Sequence, residues 1–308
     1  MENKMKSRDL PELFPGFSSQ KISFPDGDVF CRVGGSGAPL LLLHGYPQSH
    51  VMWHKIAPAL SDQFTVILAD LPGYGQSDCP PLSADHSAYS KRTMAKTMVQ
   101  LMAEQGHETF FLAGHDRGGR VSYRMALDHP QKVKKLAVLD ILPTFDYWAK
   151  MDREFALKVY HWAFLAQPAP FPENLISASA ISYLEHTLAS WTASKDLSAF
   201  SEAALAHYRA AFSNPRRVAA SCEDYRAGAT IDLNHDSLDR ENQRKISCPT
   251  LVLWGNAGIA SSASTPLDTW QEWAISVKGT GISSGHFLPE EAPTEALQQM
   301  KTFFSSDH

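Results

Sequence analysis

The stretch Gly114-His115-Asp116-Arg117-Gly118-Gly119 decides the fold of this sequence. It follows a short apolar run, 109–113, that predicts a buried strand, and it precedes residues 121–129, whose apolar spacing predicts a helix. Its glycines are spaced as in the strand–turn–helix motif G-x-S-x-G, with Asp116 in the place of Ser. Glycines suit such a strained turn because larger side chains would clash there. The alternative is an ordinary glycine-rich loop in which Asp116 caps the following helix.

The change from Ser to Asp predicts a different chemistry for the residue at the turn. A Ser that attacks a saturated carbon forms a stable ether, whereas a carboxylate forms an ester that water can open. A carboxylate is also ionised near neutral pH and needs no base to activate it. Asp116 is therefore the candidate nucleophile, and a nearby His is left to activate water in a second step.

Short apolar runs along the chain predict a parallel sheet. Leu40-Leu41-Leu42-Leu43, for example, is a continuous apolar run of the kind found in strands buried on both faces. Such runs alternate with helical segments, which predicts an α/β fold with a mostly parallel central sheet flanked by helices. The predicted strands are 29–33, 40–43, 65–69, 109–113, 133–139, 250–254 and 280–282, and the predicted helices are 53–60, 91–105, 121–129, 266–273 and 294–304.

Residues 143–245 interrupt this alternation. They contain no buried-strand run and are rich in aromatic residues and helix formers. A chain of 308 residues has room for two structural units. We therefore expect a discontinuous α/β core, 1–142 and 246–308, with an inserted helical cap over 143–245.

His286 is the candidate base that activates water. It lies in Gly285-His286-Phe287-Leu288-Pro289, between the last predicted strand and the last predicted helix. A late His of this kind follows the nucleophile and the acid in chain order in the same class of site. His44 and His115 are the competing histidines. Each lies beside a Gly at a strand end, and we expect both to bond to nearby backbone groups.

The acid that orients His286 is predicted to be Asp140. The loop 255–260, which is the usual place for this acid, contains none, whereas Asp140 ends the predicted strand 133–139. The alternative is that Asp140 caps the turn at Leu142-Pro143.

His44-Gly45-Tyr46-Pro47 follows a predicted strand where an oxyanion-binding loop is expected. The backbone N–H groups of Tyr46 and Arg117 would together stabilise the oxygen that becomes negative during ester hydrolysis. The alternative is a tight turn that Pro47 closes.

Composition excludes several other classes of protein. Hydrophobic residues make up 44% and charged residues 20%, which argues against global disorder. The net charge is −5 and no basic run occurs, so no nucleic-acid partner is expected.

No apolar run approaches the roughly 20 residues that span a bilayer, and the N-terminus lacks the apolar stretch of a signal peptide. We therefore expect a cytoplasmic protein with no membrane partner. The 4 Cys lie far apart and the 13 His are scattered, so neither disulfides nor a metal site are expected.

These features resemble the haloacetate dehalogenases of the α/β-hydrolase superfamily, in particular those that act on fluoroacetate. The resemblance extends from the oxyanion loop to the final helix, and the use of Asp140 as the acid is also similar to this family. The stretches that carry it are Gly114-His115-Asp116-Arg117-Gly118-Gly119-Arg120-Val121, Lys158-Val159-Tyr160-His161-Trp162, Cys222-Glu223-Asp224-Tyr225-Arg226-Ala227-Gly228 and Gly285-His286-Phe287-Leu288-Pro289-Glu290-Glu291.

The resemblance implies a small 2-haloacid as substrate, hydrolysed to the hydroxy acid and halide, with no metal or cofactor and with a homodimer as the assembly. Arg117 and Arg120 resemble the pair that holds the substrate carboxylate. A planar guanidinium can do so with two parallel hydrogen bonds, which would aim the adjacent carbon at Asp116. The alternative is that both arginines make surface or helix-dipole contacts.

The resemblance also assigns a halide pocket. His161, Trp162 and Tyr225 would supply two N–H donors and one O–H donor to a leaving halide. Tyr147 and Trp191 are expected to line the same pocket. The alternative is that these aromatic side chains only pack within the cap.

The sequence leaves three other functions open. An epoxide hydrolase uses the same Asp, His and oxyanion loop, and Tyr147 and Tyr225 could protonate an epoxide oxygen. The pair Arg117 and Arg120 argues against it, and against a haloalkane dehalogenase, because neither substrate has a carboxylate to hold. A non-catalytic receptor for a small acid would not need the three reactive groups Asp116, His286 and Asp140.

Overall fold

The described residues of the computed structural model, 10–258 and 266–306, are organised around one eight-stranded sheet. The strand order is β1-β2-β4-β3-β5-β6-β7-β8. The pairs β1–β2 and β2–β4 are antiparallel, and the remaining pairs are parallel. The strands are β1 Phe17–Phe24, β2 Gly27–Gly34, β3 Ala38–Leu43, β4 Phe64–Ala69, β5 Phe110–His115, β6 Val133–Leu139, β7 Thr250–Gly255 and β8 Val277–Ile282. The predicted α/β-hydrolase fold, with a mostly parallel sheet, is confirmed.

The interior strands are buried because helices cover both faces of the sheet. All four leucines of β3, Leu40 to Leu43, are fully buried, as expected for a parallel strand between two layers of helices. The edge strand β1 was not predicted. It alternates half-buried and exposed residues and contains Ser, Gln and Lys, so no continuous apolar run marks it.

The helices outside residues 143–245 flank the sheet. The predicted helix 121–129 begins five residues earlier than expected, because Gly118 and Gly119 are helical rather than part of a loop. The predicted helix 53–60 is a 3-10 turn, His50–Trp53, followed by one short helix. The helices outside 143–245 are α1 Ala57–Leu60, α2 Lys91–Glu104, α3 Asp116–Asp128, α12 Pro266–Gln271, α13 Leu288–Glu291 and α14 Pro293–Ser305.

Residues 143–245 contain eight helices and no strand. They are α4 Thr144–Ala149, α5 Arg153–Lys158, α6 His161–Leu165, α7 Phe171–Ala178, α8 Ala180–Trp191, α9 Glu202–Phe212, α10 Pro215–Ala229 and α11 Ile231–Glu241. The division of the chain into a core and a cap at residues 143 and 245 stays a prediction.

Buried ion pairs join α3 to the helices α10 and α11. Arg117 Nη2 lies 2.7 Å from Asp224 Oδ1, and Arg124 Nη2 lies 2.7 Å from Asp236 Oδ1. Arg124 also pairs with Asp239. Because an unpaired buried charge is costly, these contacts favour one seating of α10 and α11 on α3.

None of the described helices combines the length and the apolar character that crossing a membrane requires.

The close approach of α3 to β3 depends on Gly118. A Cβ atom at this position would overlap with the carbonyl oxygens of Leu43 and His44. These are backbone atoms at a buried strand end, so they cannot rotate away as a side chain could.

We expect Gly118→Ala to lower the free energy of unfolding by about 2 kcal/mol or more, since overpacking outweighs the gain in helix propensity. Thermal and denaturant unfolding measure this. Gly228→Ala is the control, because the nearest atoms there belong to the end of the Arg117 side chain. An unchanged or raised midpoint for Gly118→Ala would contradict the packing argument.

Candidate active site

The predicted nucleophile Asp116 lies at the sharp turn between β5 and α3. Its φ is +46°, in the left-handed region that residues with side chains seldom adopt. The strand ends at His115 and the helix starts at Asp116, without a linking residue. The strained turn that the glycine pattern predicted is therefore confirmed, and strain of this kind occurs preferentially at functional sites.

The Asp116 carboxylate is buried and held by one backbone donor. The Tyr46 N–H donates to Asp116 Oδ2 at 2.8 Å, while Oδ1 accepts no hydrogen bond from any described residue. Burial acts to raise the pKa of Asp116, but the charges of His286 and the two arginines outweigh it and lower the pKa. The carboxylate is thus ionised, with one oxygen held and one available. The second predicted oxyanion donor, the Arg117 N–H, stays a prediction.

Asp140 and His286 form a direct hydrogen bond. His286 Nδ1 lies 2.6 Å from Asp140 Oδ2, and Asp140 Oδ1 accepts the Gly255 N–H at 3.0 Å. Asp140 follows β6 directly, with φ +51°, and the absence of a side chain at Gly258 leaves room for its carboxylate. The structure therefore brings the predicted acid to the predicted base. The loop 255–260 can be followed only to Gly258, since 259–265 lie outside the described residues.

The other ring nitrogen of His286, Nε2, is buried and has no hydrogen-bond partner among the described residues. Burial acts to lower the pKa of His286. The hydrogen bond and charge of Asp140, together with the charge of Asp116, outweigh burial and raise the pKa above its ordinary value. Asp140 therefore orients the imidazole through Nδ1, and Nε2 is available for proton transfer.

Several contacts fix the loop that carries His286. The His286 N–H donates to the Trp191 carbonyl at 2.9 Å, and the His115 ring contacts the His286 carbonyl at 2.8 Å. Glu291 accepts the backbone N–H groups of Gly285 at 2.8 Å and Phe287 at 2.9 Å, one on each side of His286. The sequence did not indicate this role for Glu291, which lies five residues after His286.

The competing histidines contact backbone groups, as predicted. His44 Nδ1 lies 3.0 Å from the Gly45 carbonyl, and His44 Nε2 accepts the Leu71 N–H at 3.0 Å. His115 makes the backbone contact described above, and burial lowers its pKa to about 3, so it is neutral.

Arg117 is fully buried and is bound to Asp224 on α10. Its Nε donates to Asp224 Oδ2 at 3.0 Å, and its Nη2 donates to Asp224 Oδ1 at 2.7 Å and to the Asp224 carbonyl at 2.6 Å. Nη1 has no partner among the described residues. The guanidinium lies over the ring of Tyr225, 4.2 Å from its centre. The burial rules out the surface-contact alternative for this residue.

Arg120 is also buried, but within the described residues it has no carboxylate in salt-bridge contact. Its Nη1 donates to the Leu142 carbonyl at 2.9 Å and to Thr144 Oγ1 at 3.1 Å, and its Nε has no partner. Its guanidinium lies 4.3 Å from the centre of the Trp162 ring and 4.9 Å from that of Tyr147. Burial and the charge of Arg117 lower the pKa of Arg120.

The three side chains of the predicted halide pocket lie together. The ring of Tyr225 is 5.6 Å from that of His161 and 5.6 Å from that of Trp162. His161 Nδ1 and Tyr225 Oη are buried without hydrogen-bond partners among the described residues. Burial lowers the pKa of His161 to about 3, and burial with the charge of Asp116 raises that of Tyr225. Both groups thus keep a proton that they can donate.

Tyr147 and Trp191 lie at two sides of this group. Tyr147 stacks on Trp162 with ring centres 4.3 Å apart. Trp191 is 4.5 Å from His161 and 5.3 Å from His286, so it lies between the predicted halide pocket and the predicted base. Both residues are buried, which fits the predicted lining role.

The described residues contain no group of three or more His, Cys, Asp or Glu side chains arranged to hold a metal ion.

Comparisons with known proteins agree with the fold. The family described as the alpha/beta hydrolase fold matches residues 38–292. A fluoroacetate dehalogenase from Burkholderia sp is 41% identical over 295 residues, which cover 95% of each chain. A soluble epoxide hydrolase from Corynebacterium sp. (strain C12) is 33% identical over 276 residues, 88% of this chain and 91% of that protein.

Solved structures give the same result. A provisionally assigned α/β hydrolase from Nostoc sp PCC 7120 superimposes with a TM-score of 0.92 at 51% identity, over 94% of this chain and 99% of that one. The chain therefore belongs to the α/β-hydrolase family and, within it, is similar to the haloacetate dehalogenases.

Proposed function

We propose that this protein is a haloacetate dehalogenase, which hydrolyses the carbon–halogen bond of a small 2-haloacid, converting fluoroacetate to glycolate and fluoride. One observation carries the proposal: a buried carboxylate, two buried guanidinium groups and unpartnered N–H and O–H donors share one site. The carboxylate is Asp116, the cations are Arg117 and Arg120, and the donors include His161 and Tyr225. The similarity to the fluoroacetate dehalogenase supports the same substrate class.

In the first step, Asp116 Oδ1 attacks the α-carbon of the haloacid. The carbon–halogen bond breaks, and the halide leaves with the bonding electron pair toward His161, Trp162 and Tyr225. The arginines hold the substrate carboxylate so that the α-carbon faces Asp116. Fluoride needs several donors because charge localises on it as the bond breaks. The product of this step is a carboxymethyl ester, in which Asp116 Oδ1 is bonded to the former α-carbon of the substrate.

In the second step, water opens the ester. His286 Nε2 removes a proton from water, whose oxygen attacks the carboxyl carbon of Asp116. The charge that develops on Oδ2 is stabilised by the Tyr46 N–H, which already contacts that oxygen. The bond between the carboxyl carbon and Oδ1 breaks, and glycolate leaves as an alkoxide that takes the second proton of the water. Asp116 is regenerated as a carboxylate with one oxygen from water, and His286 returns its proton to solvent. Esterification removes the Asp116 charge that supports the protonated imidazole, so it favours the neutral base when the base is needed.

An epoxide hydrolase is the second candidate. It is favoured by the similarity to the Corynebacterium protein and by the hydroxyl of Tyr225, which has no partner among the described residues and could protonate an epoxide oxygen. Arg120 favours the dehalogenase, since it is a buried cation without a carboxylate in salt-bridge contact in the described part of the chain, and an epoxide supplies no anion to compensate it.

A cytoplasmic location and a homodimer belong to the same proposal. They rest on the composition of the chain and on the resemblance to the family.

We expect the protein to release fluoride from fluoroacetate and to form no diol from a simple epoxide, both measured on the same preparation. Asp116→Asn should lose at least about 10³-fold in halide release, because the nucleophile is removed. Asp128→Asn, at the other end of α3, is the matched control and should retain activity. Diol formation without halide release would overturn the proposal in favour of the epoxide hydrolase.

His286→Asn should complete the first step but not the second, since the ester forms without a base and is hydrolysed only with one. With fluoroacetate, the variant should gain the mass of a carboxymethyl group on Asp116, detectable by intact mass spectrometry and peptide mapping. His129→Asn is the control and should show no adduct. If His286→Asn stays unmodified, the two-step scheme is wrong.

The pH profile should report His286. The neutral base is required, so kcat should rise with pH through the raised pKa of this residue. Asp140→Asn removes the hydrogen-bonded charge that raises this pKa. We therefore expect the ascending limb to move to lower pH and the maximal rate to fall by about 10²–10⁴-fold. Asp146→Asn should leave the profile unchanged. A limb that stays in place in Asp140→Asn would contradict the assignment.

A further inference from the structure

We infer that Asp224, on α10, is a positioning residue that orients Arg117 so that one N–H of its guanidinium, on Nη1, is presented to the substrate carboxylate. The inference deepens the proposed function and rests on it, because it concerns how the acid group of that substrate is recognised. Neither the Asp224 side chain nor its backbone carbonyl needs to touch the substrate for this role.

The geometry of the pair leaves Arg117 a single free edge. Asp224 takes the Nε and Nη2 hydrogens through both carboxylate oxygens and its own carbonyl. The face of the guanidinium is covered by the ring of Tyr225 at 4.2 Å and, at 5.2 Å, by that of Trp162. What remains is Nη1, which is buried and has no partner among the described residues. Because the guanidinium is planar and is fixed along one edge and one face, the two N–H bonds of Nη1 have fixed directions.

Asp224 is itself held from two sides. Tyr74 Oη donates to Asp224 Oδ2 at 2.6 Å, and the Lys91 ammonium pairs with Oδ1. Lys91 also lies 3.4 Å from Asp232 Oδ2 on α11. The carboxylate of Asp224 therefore cannot turn away from Arg117 without losing further hydrogen bonds. Burial opposes ionisation of Asp224, but the charges of Arg117 and Lys91 outweigh it and lower the pKa, so the group is a carboxylate.

The two arginines have different roles, because Arg117 is paired with a carboxylate and Arg120 is not paired with one among the described residues. Arg117 and Lys91 are matched by the carboxylates of Asp224 and Asp232, so Arg117 brings an oriented N–H but little uncompensated charge. Arg120 has no carboxylate in salt-bridge contact within the described part of the chain and brings the positive charge. Pairing one arginine also relieves the repulsion between two buried cations that would otherwise hold the same anion.

The direction of the effect distinguishes positioning from plain electrostatics. Asp224→Asn keeps the size of the side chain but removes a negative charge, and that change alone would strengthen the binding of an anion. If Asp224 orients Arg117, the variant instead weakens anion binding, because Nη1 loses its fixed direction. A purely structural role would change the stability of the protein and leave the affinity of the folded fraction unchanged.

The test measures acetate binding by calorimetry and halide release from chloroacetate and from uncharged chloroacetamide. For Asp224→Asn we expect acetate to bind about tenfold more weakly, and kcat/KM for chloroacetate to fall about tenfold relative to that for chloroacetamide. Asp239→Asn is the matched control, since it removes a buried carboxylate from Arg124, on the same helix, without touching Arg117, Lys91 or Asp224. It should change both quantities less than about twofold, because the two sites share no partner. Unchanged or tighter acetate binding in Asp224→Asn would overturn the inference.

A milder variant covers the case in which Asp224→Asn does not fold. Tyr74→Phe removes the donor to Asp224 Oδ2 and should weaken acetate binding in the same direction, by about two- to threefold. No change in acetate affinity would again overturn the inference.

Failure of the proposed function gives a different result: the wild-type protein would bind acetate with the expected dependence on Asp224 and release no halide. Wild-type protein that binds no acetate would refute the inference directly.

Discussion

The left-handed turn at Asp116 is the constraint on which the rest of the site depends. It joins the end of a buried parallel strand to a helix without a linking residue, and it is possible because Gly118 lets α3 approach the end of β3. The turn places the carboxylate beside the Tyr46 N–H. Since α3 continues from the same residue, Arg117 and Arg120 follow on one helix, and nucleophile and cations share a single rigid element.

The helices of the predicted cap compensate the charges of Arg117 and Arg124, two of the three arginines that α3 buries. Asp224 on α10 pairs with Arg117, and Asp236 and Asp239 on α11 pair with Arg124. One of these helices, α10, also supplies Tyr225, and α6 supplies His161 and Trp162. Because these buried ion pairs require their partners in defined places, the position of α10 and α11 over α3 is tied to the geometry of the site.

Relatives with two different chemistries share this fold, so the Asp and His groups alone do not identify the reaction. A dehalogenase and an epoxide hydrolase both need a carboxylate nucleophile and a base for water, so these groups do not separate them. We propose that the difference lies in what the predicted cap and the helix α3 present to the rest of the substrate. In this chain Arg120, buried against Trp162, is the feature that favours an anionic substrate.

The amino-acid sequence by itself determined the sheet, the turn at Asp116 and the choice of Asp140, because each depends on local signals: apolar runs, glycine spacing and an acid at a strand end. It did not indicate β1, whose edge position leaves no apolar run. Only the tertiary structure decided that Asp224 binds Arg117, 107 residues away, and that Arg120 has no carboxylate in salt-bridge contact among the described residues. The spacing of apolar residues indicates which segments are buried. The partner of a buried charge depends on how distant helices pack, which local sequence does not encode.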